Sequence, residues 1–162
     1  MTNNDKFPVQ VIVPTGVAAF NINGATVYST LSLPIINKKK VDLKGIRLKQ
    51  FQEKLQDVIY FIIDEKSMVG RRMLSLIDTR MRQAFLKNKN KAFSRRSIIL
   101  FGDFEQLLPV LDLPMYANNT GREEMSNTGL AAYKHFREVY ELDVIQRQAG
   151  KVKSNEHLEI FF

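Results

Sequence analysis

Residues 58–65 read Val-Ile-Tyr-Phe-Ile-Ile-Asp-Glu, a continuous apolar run that ends in two carboxylates. An unbroken run such as Val58–Ile63 is typical of a strand buried on both faces of a parallel sheet. Shorter runs of the same character predict further strands at Val9–Val13 (VQVIV) and Ile98–Phe101 (IILF), and Glu138–Leu142 predicts a fourth. The stretch 58–65 therefore indicates a sheet with the other strands beside it.

Between these strands the apolar residues change to a helical period. Arg71–Phe85 is the clearest case, because its apolar residues recur on one face of a helix. Residues 112–128 predict a turn-rich connection, and the segment from Gly150 has no clear period. Strands that alternate with helices predict an α/β fold with a mainly parallel sheet and helices on both faces. The same spacing predicts shorter helices at Gly16–Ile22, Ile46–Gln56 and Gly129–Phe136.

The composition favours a globular domain with a polyanionic partner. Of 162 residues, 44% are hydrophobic and 25% are charged, the net charge is +7 and the sequence pI is about 9.7. Lysine and arginine gain affinity for nucleic acid by releasing condensed counterions, although many basic proteins bind none. The chain has no cysteine and two histidines, which exclude a disulfide framework and leave little for a zinc site. No apolar run approaches the ~20 residues of a membrane span, and we expect an intracellular protein.

The polar residues of chemical interest follow the predicted strands. Parallel α/β sheets bind ligands outside the carboxyl ends of their strands. Three clusters are expected there, namely Pro14-Thr15-Gly16, Asp64-Glu65 and Gly102-Asp103. Paired carboxylates at a strand end suit Mg²⁺ and a bound nucleotide. The plainer alternative is an exposed acidic turn, or a cap for the helix that begins at Arg71.

Three positions carry further candidate chemistry. Thr15-Gly16 would open a helix whose free N–H groups can bind a phosphate, although an ordinary capped helix looks the same. Gln106 follows the strand that ends near Gly102, and its amide can bond both a phosphate oxygen and water. Arg147, after the fourth strand, could stabilise charge on a transferring phosphate, or could be a surface arginine.

Four strings in sequence order carry a family resemblance. They are VPTGVAAFNINGATVYS, IIDEKSMVGRRMLSLID, IILFGDFEQLLPVLDLP and ELDVIQRQ, between Val9 and Gln148. They resemble motifs Ia/Ib, II, III and IV of superfamily 1 helicases, most closely the petite-integration-frequency (Pif) type of ATP-dependent DNA helicase. The resemblance implies a P-loop, RecA-like three-layer domain that is truncated at its N-terminus. Residues 1–149 would be part of the first motor domain, and residues 150–162 a poorly ordered tail.

The resemblance also implies roles for single residues. Asp64 would hold Mg²⁺, Glu65 would activate the attacking water, and both would contact ATP. Gln106 and Arg147 would reach the γ-phosphate as catalytic and nucleotide-binding residues. Contacts to single-stranded DNA would come from the first motif, at Thr15, Gly16, Phe20 and Tyr28.

The sequence departs from the family at several points. The phosphate loop G-x-x-x-x-G-K-[ST] does not occur in it, and a second motor domain is not expected after Gln148. Tyr28 stands where the family has histidine, and Leu108 stands where it has the first of two prolines. Tight ATP binding and turnover by this chain alone are therefore not expected.

Three functions follow as hypotheses. The first is a fragment of a 5′-to-3′ DNA helicase that acts in DNA repair, recombination and telomere maintenance. If the organism is a eukaryote, the expected location is the nucleus or the mitochondrion. The second is a non-catalytic remnant that binds single-stranded DNA or a partner protein. The third is a different P-loop nucleotide hydrolase, such as a transposition or partition ATPase, which would share the Asp64-Glu65 pair.

Overall fold

The computed structural model describes residues 8–34, 42–119, 123–142 and 158–161. They contain a six-stranded sheet in the order β2-β1-β3-β4-β6-β5. The first four strands of that order run parallel, whereas β6 is antiparallel to both of its neighbours. The strands are β1 (Val9–Val13), β2 (Ala25–Thr26), β3 (Tyr60–Ile63), β4 (Ser97–Gly102), β5 (Val139–Leu142) and β6 (Leu158–Phe161).

Five α-helices and three short 3₁₀ turns connect these strands within the described ranges. The longest helix, α4, begins one residue after Gly70, which is its N-cap. No helix in the described ranges is long and apolar enough to cross a lipid bilayer. The helices are α1 (Gly16–Asn21), α2 (Val27–Leu31), α3 (Gly45–Leu55), α4 (Arg71–Ala84) and α5 (Glu124–Tyr133), and the 3₁₀ turns are Lys66–Met68, Leu86–Asn88 and Ala92–Arg95.

The core lies against one face of the sheet. In the parallel register Ile12 pairs with Ile63, and Ile63 pairs with Leu100, so these buried side chains share a face. Apolar residues of α2, α3 and α4 complete the same cluster. On the opposite face Val11, Ile62 and Ile99 are only half-buried. The α/β class and the mainly parallel sheet are therefore confirmed, and the second face of the central strands is incompletely covered.

The boundary of α5 differs from the sequence expectation. The helix begins at Glu124, inside the predicted turn-rich connection, and Gly129 lies within it rather than at its start. A Cβ at Gly129 would lie 1.8 Å from the carbonyl oxygen of Arg71. This glycine is therefore needed because α4 and α5 pack backbone to backbone, which sequence period alone does not reveal.

The last strands also differ from expectation. The tail predicted for residues 150–162 includes β6, which lies between β4 and β5. The predicted strand at Glu138–Leu142 is confirmed as β5, but its side chains are exposed and its only partner among the described strands is β6. The sequence analysis missed β2 and α2 because each is too short to show a hydrophobic period.

A left-handed turn (Phe93–Arg95) precedes β4. The φ angles of Phe93, Ser94 and Arg95 are 48°, 51° and 58°, a conformation that costs an L-residue roughly 1–2 kcal/mol. Buried Asp78 holds the turn, because its Oδ1 accepts a hydrogen bond from the Phe93 N–H at 2.7 Å. The other oxygen, Oδ2, pairs with Arg82 at 2.7 Å. Tertiary contacts thus impose backbone strain here.

Glycine substitutions should relieve that strain. We expect Ser94→Gly combined with Arg95→Gly to raise the free energy of unfolding by about 1–2 kcal/mol, because glycine adopts positive φ without steric cost. Urea denaturation measures the change. Lys89→Gly is the matched control, since Lys89 has φ −55° and ψ −20°, and should lower stability by about 0.5–1 kcal/mol. A loss of stability in the double variant would contradict the prediction.

Candidate functional site

Three polar clusters meet at one edge of the sheet. The strands β1, β3 and β4 are parallel neighbours, so their carboxyl ends lie side by side. Pro14-Thr15-Gly16 follows β1, Asp64-Glu65 follows β3, and Gly102-Asp103 closes β4. The sequence expectation that these clusters converge is confirmed, and the acidic pair occupies the middle position.

The acidic pair is held by backbone hydrogen bonds. The Asp64 N–H donates to the Ile12 carbonyl at 3.0 Å, which extends the β1–β3 pairing to the carboxylate itself. Asp64 Oδ1 accepts a hydrogen bond from the Glu65 N–H at 2.8 Å, and Glu65 has a left-handed φ of 57°. Both side chains are half-buried. The alternative that the pair caps the helix at Arg71 is wrong, because Gly70 is the N-cap of α4.

Gly102 brings β4 close to the acidic turn. Its φ is 128°, and a Cβ there would lie 3.1 Å from the Lys66 nitrogen and 3.5 Å from the Glu65 Cα. A glycine at the end of a strand can also let the backbone approach a ligand. In the structure the neighbour is the protein's own backbone, so Gly102 fixes the distance between the ends of β3 and β4.

Lys66 is a residue that the sequence analysis did not single out. It is fully buried, and its ammonium lies 4.5 Å from the centre of the Phe104 ring and 4.2 Å from that of Phe161. Phe104 belongs to the segment that leads to Gln106, so this cation–π contact joins the acidic turn to that segment. In the sequence, Lys66 is notable only because it directly follows two carboxylates. Its burial depends on tertiary packing, which the sequence pattern does not show.

Gln106 is exposed at the same edge. Asp103, which precedes it, is buried, and its Oδ1 accepts a hydrogen bond from the Glu105 N–H at 2.8 Å. The segment that follows Gln106 is also unusually exposed, with Leu107 at 72% and Leu108 at 59% of full exposure. The amide of Gln106 is therefore free of the core and can reach a ligand at this edge.

The first motif forms a capped helix. Thr15 is the N-cap of α1, and its Oγ1 accepts a hydrogen bond from the Ala18 N–H at 3.2 Å, as the sequence predicted. A Cβ at Gly16 would meet nothing within 4 Å. The Phe20 side chain is 83% exposed, which is unusual for a phenylalanine of a folded domain. Packing therefore explains neither Gly16 nor Phe20.

Tyr28 and Arg147 are the remaining residues of the predicted site. Tyr28 lies in α2, half-buried and packed against the core, so one part of its ring is accessible. Arg147 lies outside the described residues. The structure therefore brings Thr15, Gly16, Asp64 and Glu65 to one edge of the sheet with Gln106, and it leaves the position of Arg147 open.

The donor atoms at the edge suit a hard cation. Within the described ranges no three His, Cys, Asp or Glu side chains gather into a metal-binding group. Asp64 and Glu65 supply carboxylate oxygens, and Mg²⁺ is typically bound by one or two carboxylates together with substrate phosphates. The residues thus fit an ion that arrives with a nucleotide, rather than one held in a cage of protein ligands.

A mainly parallel α/β sheet with carboxylates after one strand and an exposed glutamine after the next agrees with the class that the resemblance implied, a RecA-like motor domain. Residues 3–161 match the model of the PIF1-like helicase family. Because that match covers nearly the whole sequence, the chain belongs to the PIF1-like helicase family.

Individual relatives agree with this assignment. The ATP-dependent DNA helicase Pif1 of Psychrobacter sp. is 32% identical over 107 residues, which are 65% of this chain and 16% of that protein. The ATP-dependent DNA helicase PIF1 of Candida albicans is 33% identical over 111 residues, 66% of this chain and 12% of that protein. A crystal structure of Bacteroides Pif1 in complex with ADP-AlF3 and ssDNA matches with a TM-score of 0.55 and 32% identity, covering 64% of this chain and 24% of that one. The chain thus spans a quarter or less of these relatives.

Asp112 anchors the far end of the segment that carries Gln106. Its Oδ2 accepts a hydrogen bond from the Arg72 N–H at 2.9 Å at the start of α4, and the Leu113 carbonyl accepts from the Arg71 N–H at 2.9 Å. Burial raises the pKa of the Asp112 carboxyl above its ordinary value of 3.8, although backbone N–H groups and the Arg72 guanidinium oppose the shift. The carboxylate thus caps α4 from a distant loop.

The raised pKa of Asp112 determines how the free energy of unfolding changes with pH. The folded protein keeps the Asp112 proton to higher pH than the unfolded chain does, so stability falls as pH rises through that window. Asp112→Asn, which is neutral throughout, should lack this fall. We therefore expect the variant to become more stable relative to the parent protein as the pH rises above the ordinary aspartate pKa of 3.8, as followed by urea denaturation. Asp57→Asn, at an exposed position, is the control. A relative loss of stability over the same range would show that charge pairing outweighs burial.

Proposed function

We propose that the chain forms part of the first motor domain of an ATP-dependent DNA helicase. The observation that carries the proposal is the acidic turn Asp64-Glu65, placed between a helix N-terminus on one neighbouring strand and the Gln106 segment on the other. Carboxylates, an exposed amide and free N–H groups along one edge can serve a nucleotide and a phosphate backbone together. Membership of the PIF1-like helicase family supports the same function.

The acidic turn and its neighbour would serve the nucleotide. Asp64 would hold Mg²⁺, which when bound would neutralise charge on the ATP phosphates. Glu65, the half-buried carboxylate that follows Asp64, would accept a proton from the attacking water. Gln106 bonds to the γ-phosphate, and Arg147 stabilises the charge that develops there. The Bacteroides relative in complex with ADP-AlF3 supports nucleotide use in this family.

The α1 edge would serve single-stranded DNA. Thr15 and Gly16 place N–H groups at the start of α1, where a backbone phosphate can bind. The exposed ring of Phe20 offers a surface on which a base can stack, and Tyr28 presents part of a second ring. The net charge of +7 favours a polyanion, and the same Bacteroides relative contains ssDNA.

The finer biology rests on the resemblance to Pif-type helicases. It comprises 5′-to-3′ movement, a role in DNA repair, recombination and telomere maintenance, and a nuclear or mitochondrial location. The 162 residues contain no G-x-x-x-x-G-K-[ST] string, which favours DNA binding without turnover as the second candidate for this segment by itself. The two candidates differ in whether nucleotide changes the affinity of the protein for DNA.

The role of Glu65 can be tested in a version of the protein extended by a phosphate-binding loop. Glu65→Gln should lower DNA-stimulated ATP turnover by about 100-fold or more, because the general base is lost, and leave ssDNA affinity unchanged. A coupled ATPase assay and fluorescence anisotropy measure the two quantities. Glu105→Gln makes the same chemical change at an exposed position nearby and should be silent. Equal turnover by the parent protein and Glu65→Gln would remove Glu65 from the mechanism.

Gly16→Ala separates a structural role from DNA binding. Alanine should raise stability by about 0.5–1 kcal/mol, because the new methyl group meets no neighbour and alanine favours the helix. If Gly16 contacts the DNA backbone, the affinity for an oligo-dT strand should nevertheless fall about tenfold.

Anisotropy titrations at about 50 and 200 mM salt test the DNA contact, since phosphate binding weakens steeply over that range. Val17→Ala, at a 76% exposed position in the same helix, is the control for a change that leaves the phosphate-facing end of α1 intact. A stabilised Gly16→Ala protein that binds DNA as tightly as the parent would exclude Gly16 from the interface.

A further inference from the structure

The opposite end of the sheet contains a cleft that the proposed function does not use. A cavity of about 460 Å³ lies where β3 and β4 begin, lined in part by Tyr60 and Ser97. The acidic turn lies at the other end of β3, roughly 13 Å away for a strand of this length. We call this cavity the basal cleft. Its volume falls within the range of small-ligand and peptide-anchor pockets, about 300–1,000 Å³.

The floor of the basal cleft is apolar. Phe93 and Phe136 form part of it with their ring centres 5.7 Å apart, and Ile98 contributes a buried aliphatic side chain. The apolar floor suits an aromatic or branched aliphatic side chain, which gains free energy by leaving water.

The rim of the basal cleft is basic. Lys91, Arg95 and His135 are exposed there, and the Arg96 guanidinium lies 4.0 Å above the Phe85 ring. Among the described residues that line the cleft there is no aspartate or glutamate. Charges of one sign around a low-dielectric cavity focus the potential, which favours a negatively charged partner.

Strained backbone forms one wall of the same cleft. Phe93, on the floor of the cleft, and Arg95, at its rim, both belong to the left-handed turn. Strain of this kind persists only where surrounding contacts impose it, and it is concentrated at binding and catalytic sites. Buried Asp78 provides the contact that imposes it.

We propose that the basal cleft binds a short acidic peptide segment of a partner protein, with one aromatic or branched aliphatic side chain anchored on the apolar floor. The carboxylates of the segment pair with Lys91 and Arg95 at the rim, and the anchor contacts Phe93 and Phe136. Such a division between a buried apolar anchor and a charged rim is the usual arrangement of peptide-binding pockets. The site is independent of the nucleotide and DNA roles proposed for the other edge.

Fluorescence anisotropy of the 162-residue protein with a fluorescein-labelled peptide, Asp-Asp-Glu-Leu-Phe, tests this proposal. We expect saturable binding that Lys91→Ser combined with Arg95→Ser weakens at least about tenfold. Lys87→Ser combined with Lys89→Ser removes the same charge from the same basic segment outside the cleft and should leave the affinity unchanged. Arg95→Gly keeps the turn geometry without strain, and we expect it to fold and to bind more weakly.

Peptide variants separate the apolar from the electrostatic contribution. Replacing Leu-Phe by Ser-Ser should abolish binding, as should the charge-reversed peptide Lys-Lys-Lys-Leu-Phe. Equal losses from the two double variants would overturn the proposal, because attraction would then depend on net charge alone. Displacement of the peptide from the cleft by an oligo-dT strand at equimolar concentration would also overturn it and would assign the cleft to nucleic acid.

Discussion

The hydrogen bonds of β3 to β1 on one side and to β4 on the other constrain the rest of the domain. Parallel pairing aligns the carboxyl ends of these strands, so that the residues following each strand must meet at one edge. The Asp64 N–H extends this pairing by donating a hydrogen bond to the Ile12 carbonyl. The position of the acidic pair is therefore set by the sheet. At Asp64 the backbone of the candidate site is thus a continuation of the strand rather than a free loop.

A second layer of contacts fixes the segments that the sheet does not reach. Gly102 allows the β4 end to lie against the Glu65–Lys66 backbone, and the buried Lys66 ammonium contacts the Phe104 ring. Asp112 then ties the end of the Gln106 segment to the first turn of α4. Gln106 is therefore exposed but bounded on both sides by anchored residues.

The sequence predicted the features that depend on local pattern. The three central strands, α1 with its Thr15 cap, and the convergence of the polar clusters follow from hydrophobic period and from the rule that parallel strands share an edge. The start of α5 could not be predicted, because Gly129 is required by the backbone of α4, which is distant in sequence. The buried position of Lys66 and the strand β6 depend on tertiary contacts in the same way.

The glycines show how structure separates folding requirements from those of ligand binding. Gly102 and Gly129 each have backbone atoms close to the position of a Cβ, so the fold itself explains them. Gly16 has open space around it and a position at the start of a helix, where alanine would be more stable. A residue that costs stability and relieves no clash is best explained by something that approaches from outside. This open space is consistent with the DNA-backbone contact proposed for Gly16, because a phosphate needs close access to the N–H groups at the start of α1.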